Sequence, residues 1–245
     1  MVRIEGACAL RFMKGFRCRR GLLAACVGMS VSAIANAGVA PCVEDFPNIA
    51  SLPFEGWSIL NASDPLGPTS WHQGDPSQFA AAAGAPDSYA AADSTSTIGA
   101  PSLISVWLVT PLIDFGPNGF NSKSLAFATR ALPGVANRMV VRQCALSGTE
   151  GCAPPAMGVG GFSDVLIDIN PNLLVDGYPS TWTTYTLTPG DGLMAYGFGR
   201  IAFHYMLASA PDGSHGSTIG VDTVTISGAT ACPFGDALFV SGFER

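Results

Sequence analysis

The chain has 245 residues, of which 48% are hydrophobic and only 12% are charged, with 29 Gly and 18 Pro. This composition excludes a disordered chain and a coiled coil, and it is typical of a folded domain with many turns. Residues 38–245 keep 6 basic against 17 acidic residues, a net charge of −11, which argues against nucleic acid as a partner.

Residues 1–37 predict a cleavable signal peptide. A basic stretch ends at Arg20, an apolar run follows over 21–34, and the small residues Ala35-Asn36-Ala37 suit signal peptidase. We therefore expect cleavage after Ala37 and a secreted or envelope-exposed protein. Two alternatives stay open, a lipoprotein modified at Cys26 and a translation start at Met13. No later segment approaches the ~20 apolar residues of a membrane-spanning helix.

Four cysteines follow this leader: Cys42, Cys144, Cys152 and Cys232. An even number in an exported protein predicts disulfides, with three possible connectivities. The spacing favours a local bridge from Cys144 to Cys152 across a hairpin connection, and a second from Cys42 to Cys232 that fastens the two ends of the domain. Closing so long a loop removes chain entropy equivalent to about 4–5 kcal/mol.

Alternating apolar and polar residues, separated by Gly, Pro, Asn and Asp, predict at least seven strands. They are expected at Ser102–Thr110, Ser124–Ala131, Arg138–Ala145, Ser163–Ile169, Thr181–Leu187, Arg200–Leu207 and Thr218–Ile226. Residues 78–83 are expected to form at most a short helical turn, and 84–99 a long surface loop. The pattern predicts an all-β protein, a jelly-roll-type β-sandwich of two antiparallel sheets in one domain over 38–230, followed by a tail over 231–245.

Short motifs in a consistent order resemble the choice-of-anchor J domain family. They include Glu44-Asp45-Phe46, Gly56-Trp57, Ser70-Trp71, Ser105-Val106-Trp107, Gly199-Arg200-Ile201-Ala202-Phe203-His204-Tyr205 and Ile219-Gly220-Val221-Asp222. The resemblance covers about residues 42–226. The family is similar to the cleaved adhesin modules of bacterial surface proteases and to other jelly-roll sandwiches. It implies an exported bacterial β-sandwich with adhesive or carbohydrate-binding relatives.

The same resemblance implies a structural calcium ion, which related jelly rolls hold with an acid near the first strand and an Asp near the last. Asp222 keeps the last-strand position, but Pro47 stands where the family tends to have an acid. Calcium would then depend on Asp45 or Glu44 with backbone oxygens, since the ion takes six to eight oxygen ligands. Asp45 and Asp222 are the candidate ligands. His204 stands where Arg is expected in relatives, which weakens any anion contact by that strand.

Aromatic side chains are the candidate ligand-binding residues, because their faces pack against sugar rings. Trp107 and Trp182 lie in alternating segments and are expected in the core. Trp71 and Tyr89 lie in loop-like sequence, so we expect them to be exposed and take them as the candidate ligand-binding residues.

The last ten residues resemble the Phe-x-x-Gly-Phe-Glu endings of exported proteins in some Gram-negative bacteria. The tail over 231–245 is therefore a candidate sorting signal. The alternative is a terminal strand or a frayed tail.

No catalytic signature is present: GxSxG, HExxH, a P-loop and a dinucleotide fingerprint are all missing from the sequence. Asp164 and Asp168 are about 13 Å apart on an extended strand, too far for a shared site. We predict a non-catalytic exported module that binds carbohydrate or a surface protein in adhesion. The alternatives are a structural envelope or matrix protein without a specific ligand and, less favoured, a hydrolase with a site built from distant loops.

Overall fold

A computed structural model describes residues 40–117, 123–146, 151–209 and 216–234. The predicted signal peptide and the last eleven residues of the predicted tail lie outside this part of the chain. The described part contains twelve strands and three short 3-10 helices, at 49–55, 94–96 and 189–191. The strands are β1 Cys42–Glu44, β2 Ser58–Asn61, β3 His72–Gln73, β4 Ala90–Ala92, β5 Ser102–Val109, β6 Ile113–Asp114, β7 Ser124–Ala131, β8 Met139–Ala145, β9 Asp164–Ile169, β10 Thr183–Leu187, β11 Phe198–Ser209 and β12 Ile219–Ser227.

The strands form two six-stranded sheets. Sheet A has the order β10-β7-β12-β4-β3, with β1 also paired to β12, and sheet B has the order β2-β5-β11-β8-β9, with β6 also paired to β11. All of these pairs are antiparallel. The predicted β-sandwich of two antiparallel sheets is confirmed. Among the described residues, no helix is long and apolar enough to cross a membrane.

The main core lies between the two sheets. In β11, alternate side chains point into it, as the sequence pattern predicts: Ile201, Phe203, Tyr205 and Leu207 are all buried there. Phe127 of sheet A meets Phe203 of sheet B edge to face, with ring centroids 5.2 Å apart. This contact ties the two sheets through the middle of the sandwich.

Each sheet also carries a smaller apolar cluster on its outer face. The outer cluster of sheet A contains Phe79, Tyr89 and Ala91, with Trp182 packed against them. The outer cluster of sheet B contains Trp107, Val109, Cys144, Cys152, Phe162 and Ala202. Because Phe79 and Phe162 come from connecting segments, these segments cover part of each outer face.

Strand β12 is interrupted by a bulge between Asp222 and Thr225. On one side of the bulge, residues 219–221 pair with β4, and on the other, residues 224–226 pair with β1. Thr223 has φ of +49°, in the left-handed region that β-branched residues rarely adopt. The bulge therefore lets one edge of β12 serve two short strands.

Both favoured disulfides are present. Cys42 is joined to Cys232 and Cys144 to Cys152, with Cα atoms 5.3 and 5.7 Å apart. Next to the first bridge, the ring of Phe234 stacks on Trp57 with centroids 5.3 Å apart. The start of β1 and the segment after β12 therefore lie side by side.

One prediction about the segment between 78 and 99 is wrong. The segment predicted as a loop over 84–99 contains β4, whose three alanines are buried in sheet A. Residues 78–83 are expected to form at most a short helical turn, and the turn in this region lies at 76–78. Small side chains at β4 leave room for the aromatic rings of the outer cluster of sheet A.

Candidate functional site

Trp71 and Tyr89, the predicted ligand-binding residues, are buried. Their relative exposures are 4% and 0%, so the exposure expected from their loop-like sequence is wrong. Trp71 packs in the main core. Tyr89 packs against Phe79 and Trp182, with ring centroids 4.9 and 5.6 Å away. Neither ring offers a free face to a sugar.

The hydroxyl of Tyr89 has a structural role instead. It accepts a hydrogen bond from the backbone N–H of Asp75 and donates one to the Asp75 carbonyl, both at 2.9 Å. These bonds fasten the segment after β3 to the outer face of sheet A. Trp182, expected in the core, is only partly buried and donates its indole N–H to the Ala80 carbonyl at 2.8 Å.

On the outer face of sheet B, Trp107 is fully buried and stacks on His204 with ring centroids 3.7 Å apart. The Nε2 atom of His204 lies 2.9 Å from the Ser105 hydroxyl. Burial, together with the positive charges of Arg142 and Arg138, lowers the pKa of His204 to about 3. The imidazole is therefore neutral over the physiological range and belongs to the packing of this face.

Asp45 and Asp222, the candidate calcium ligands, lie near the bulge of β12. Asp222 is fully buried, and its carboxylate accepts the backbone N–H groups of Ala82, Ala83 and Thr223 at 2.7, 3.1 and 2.7 Å. Burial is the main cause that raises the pKa of Asp222 to about 6, and the charge of Asp45 adds to it.

The donor set fits calcium only in part. Asp45 Oδ1 is buried and has no hydrogen-bond partner among the described residues, so this oxygen is free to act as a cation ligand. The described chain nevertheless holds no cluster of three or more His, Cys, Asp or Glu side chains suited to a metal. Two carboxylates would therefore need backbone oxygens and water to complete the coordination shell.

A cleft of about 250 Å³ opens on the outer face of sheet B. Its polar groups are Ser58 and Arg200, and the rest of its lining is apolar or backbone: Leu112, Leu146, Gly151, Cys152 and Ala153. We call it the Arg200 cleft. Strand register brings these residues together, because Arg200 of β11 faces Cys144 of β8, and Ser58 of β2 faces Val109 of β5. The Cys144–Cys152 bridge then holds residues 151–153 at the edge of the cleft.

The guanidinium of Arg200 is fixed from one side. Its Nη1 atom donates to the carbonyls of Gly56 and Thr110 at 3.1 and 2.9 Å. Gly56 ends the first 3-10 helix with φ of +89°, a left-handed conformation that directs the chain past Arg200. Burial lowers the pKa of Arg200, but a guanidinium stays charged at neutral pH. Within the described ranges, no carboxylate forms an ion pair with it.

Two exposed apolar side chains lie at or beside this cleft. Leu112 is 43% exposed and Phe198 is 49% exposed. Phe198 precedes Arg200 by two residues in β11, so both side chains lie on the same face of sheet B. The backbone N–H of Leu146 donates to the Phe198 carbonyl at 2.8 Å, which places Phe198 next to the cleft wall.

Sequence reasoning did not identify Ser58, Phe198 or Arg200 as site residues. A usable signal exists for Arg200, since it is the one charged residue near the start of an apolar strand over 201–207. Ser58 has no such signal, because its place in the cleft depends on the pairing of β2 with β5.

The chain matches no protein-family model, and its sequence has no significant match among curated proteins. Solved structures do match its fold. The K2 cleaved adhesin domain of Lys-gingipain (Kgp) superposes with a TM-score of 0.50 at 16% identity, over 77% of this chain and 99% of that domain. The K3 cleaved adhesin domain from Porphyromonas gingivalis gives a TM-score of 0.46 at 18% identity, over 78% and 99% of the two chains. The family 11 carbohydrate-binding module from Clostridium thermocellum gives 0.43 at 12% identity, over 79% and 98%. At such identities the likeness to K2 shows a shared fold alone.

Proposed function

We propose that this chain is an exported, non-catalytic β-sandwich module that binds a carbohydrate or another surface ligand in adhesion. The Arg200 cleft carries the proposal, because it combines apolar walls with a fixed cation and a hydroxyl, Ser58. The K2 adhesin domain, which shares the fold, and the resemblance to the choice-of-anchor J family support an adhesive role. Two disulfides support export to an oxidising compartment.

The exposed ring of Phe198 makes carbohydrate the favoured ligand. Sugars present C–H faces that pack on aromatic rings while their hydroxyl groups bond to nearby polar side chains. Phe198 and Arg200 offer both kinds of contact on one face of β11. In this proposal, Phe198 takes the ligand-binding role that the sequence analysis gave to Trp71 and Tyr89.

A glycan array tests the proposal, using the purified protein with its disulfides oxidised. We expect binding to at least one glycan class and a clear loss of signal in Phe198→Ala. Leu174→Ala is the matched control, since Leu174 is 60% exposed and follows β9 at the far end of β8 from the cleft. Absence of binding to any glycan would contradict the carbohydrate form of the proposal.

We also propose that calcium binds at Asp45 and Asp222, supported by the unpartnered oxygen of Asp45. A cation there would offset the repulsion between the buried carboxylate of Asp222 and the half-buried carboxylate of Asp45. Calcium should then raise the melting temperature, because a ligand that binds only the folded state stabilises it. Asp45→Asn should remove this shift, whereas Asp191→Asn, at an exposed helix cap, should keep it. An unchanged melting temperature in calcium would contradict the proposal.

A structural role in the envelope or matrix is the second candidate. The observation in its favour is that connecting segments cover part of both outer sheet faces. Such a protein should self-associate and should bind no glycan, which analytical ultracentrifugation and the same array would show. The signal peptide and the sorting role of the tail stay predictions.

A further inference from the structure

The charge of Arg200 is not neutralised by any acidic side chain in the described part of the protein. Other cations of the sandwich are engaged: Arg138 makes two hydrogen bonds to Asp168 at 2.9 and 2.7 Å, and Arg130 lies over the ring of Phe79 at 4.5 Å. Arg142 is also without an ion pair, but it donates to the Phe162 carbonyl at 3.3 Å and lies outside the cleft lining. Among the described residues, Arg200 is thus the cation without an acidic partner that lines the cleft.

The geometry of the guanidinium leaves one side available. Nη1 is occupied by the carbonyls of Gly56 and Thr110, which fix the plane of the group. Among the described residues, the N–H groups of Nη2 and Nε have no hydrogen-bond acceptor. A fixed guanidinium with two free donors matches the two oxygens of a carboxylate.

The cleft walls strengthen such a contact. Leu112, Leu146 and Ala153 replace water around the bound group, and the attraction between opposite charges grows as the local dielectric falls. Among the residues that the structure describes, no Asp or Glu lines the cleft to compete for Arg200. The volume of about 250 Å³ lies below the range of about 300–1,000 Å³ typical of whole small-molecule sites, so the cleft suits one terminal residue of a larger ligand.

From these observations we propose that the Arg200 cleft binds the carboxylate of an acidic sugar, a uronic or a sialic acid, at the end of a glycan. This inference rests on the proposed function and names its ligand class. The net charge of −11 over residues 38–245 repels a polyanion at long range. An isolated carboxylate on an otherwise neutral glycan avoids most of that repulsion. The ring of Phe198 beside Arg200 favours a sugar over an acidic peptide, because it adds a surface for the C–H face of the same residue.

Isothermal titration calorimetry tests the inference with three probes. They are an oligosaccharide ending in a uronic acid, the same oligosaccharide with that carboxyl reduced to an alcohol, and a short peptide ending in Asp. We expect the acidic oligosaccharide to bind at least about tenfold more tightly than its reduced form, the value of one charge-assisted hydrogen-bonded pair. Added salt should reduce the difference in affinity between the two oligosaccharides, because it screens the attraction between the charges.

Variants test whether Arg200 causes the preference for the acidic oligosaccharide. Arg200→Gln should abolish the preference for the acidic oligosaccharide, whereas Arg138→Gln removes one positive charge from the same sheet and should keep it. Because Arg200 also bonds two carbonyls, a second variant leaves it intact. Both Leu112→Glu and Leu112→Gln remove an apolar side chain from the cleft wall, but only Glu adds a negative charge. Leu112→Glu should therefore bind the acidic oligosaccharide about tenfold more weakly than Leu112→Gln does.

The outcomes separate the inference from the proposed function. Equal binding of the acidic and reduced oligosaccharides would overturn the inference and leave carbohydrate binding in place. Tighter binding of the peptide than of either oligosaccharide would overturn the assignment to a glycan. Failure of every probe here and of every glycan on the array would overturn both.

Discussion

Trp107 and His204 lie face to face on the outer side of sheet B, and this pair shows how a polar residue is held in an apolar cluster. The imidazole makes one side-chain hydrogen bond, with the Ser105 hydroxyl at 2.9 Å. It has no carboxylate partner among the described residues. The guanidinium groups of Arg138 and Arg142 both oppose its protonation. His204 therefore stabilises the fold only in its neutral form.

This arrangement predicts a loss of stability in acid. In the unfolded chain His204 takes up a proton near pH 6.5, but the folded protein resists protonation until the pKa of about 3. The unfolded state therefore binds more protons between these values, and stability falls as the pH drops through that window. We expect the free energy of unfolding to be about 2–3 kcal/mol lower at pH 4.5 than at pH 7 because of His204.

Urea unfolding of the wild type and of His204→Gln from pH 7.5 to 4 checks this prediction. The Gln variant should lose less stability on acidification than the wild type. His72→Gln is the control for removing an imidazole, since His72 lies at the surface with a side chain 38% exposed. Parallel stability curves for the wild type and His204→Gln would contradict the prediction.

Thr223 is a second residue whose conformation carries a cost. A β-branched side chain at φ of +49° is strained by about 1–3 kcal/mol, whereas Asn tolerates this region. Thr223→Asn should raise the free energy of unfolding by about 1 kcal/mol, because the backbone N–H bond to Asp222 is kept. Thermal unfolding compared with Thr225→Asn, in the regular part of β12, measures the gain. A loss of stability in Thr223→Asn would show that the bulge is not strained.

At the level of elements, the strands that the sequence predicts correctly are the long ones. The seven expected strands lie within two residues of the observed bounds, because each has enough alternation to reveal its buried face. The strands β1, β2, β3, β4 and β6 were not predicted, since each has only two to four residues. Strand β4 is formed by three alanines, which have low strand propensity and are held by their neighbours β12 and β3.

The limits of local sequence patterns also explain why the predicted site residues were wrong. A single sequence does not show that connecting segments fold back over the outer sheet faces, so Trp71 and Tyr89 were assigned to exposed loops. Residues that depend on strand pairing, such as Ser58 with β5, were missed for that reason. The cysteine pairs were predictable because spacing alone favoured them.

The stability of the segment over 75–88 should depend on the Asp222 carboxylate. The carboxylate bonds the N–H groups of Ala82 and Ala83, and its removal leaves those donors without a partner at a partly buried place. In the presence of a chelator, Asp222→Ala should lower the free energy of unfolding by about 2 kcal/mol or more. It should also speed amide hydrogen exchange at Ala82 and Ala83. Asp191→Ala, at an exposed helix cap, should cost about 1 kcal/mol or less. Unchanged exchange at Ala82 and Ala83 would contradict the role of Asp222.

At the level of the whole molecule, the two disulfides should contribute unequally. The Cys42–Cys232 bridge spans 190 residues and the Cys144–Cys152 bridge spans 8. In the chain-entropy model these closures are worth about 5 and about 2–3 kcal/mol. Replacing both cysteines of the long bridge by Ser should therefore destabilise the sandwich more than replacing both of the short one. Denaturant midpoints of the two double variants measure the difference, and an inverted order would contradict the entropic account.

The Cys42–Cys232 bridge also has a mechanical consequence. The two ends of this bridge lie side by side, with the Cα atoms of Cys42 and Cys232 5.3 Å apart. Tension between those two ends passes through a covalent bond and bypasses every strand. Under a pulling force the oxidised domain should stay folded and add almost no length, whereas reduction would let the intervening 190 residues extend. A chain held in this way transmits force between the two ends of the bridge without unfolding the sandwich.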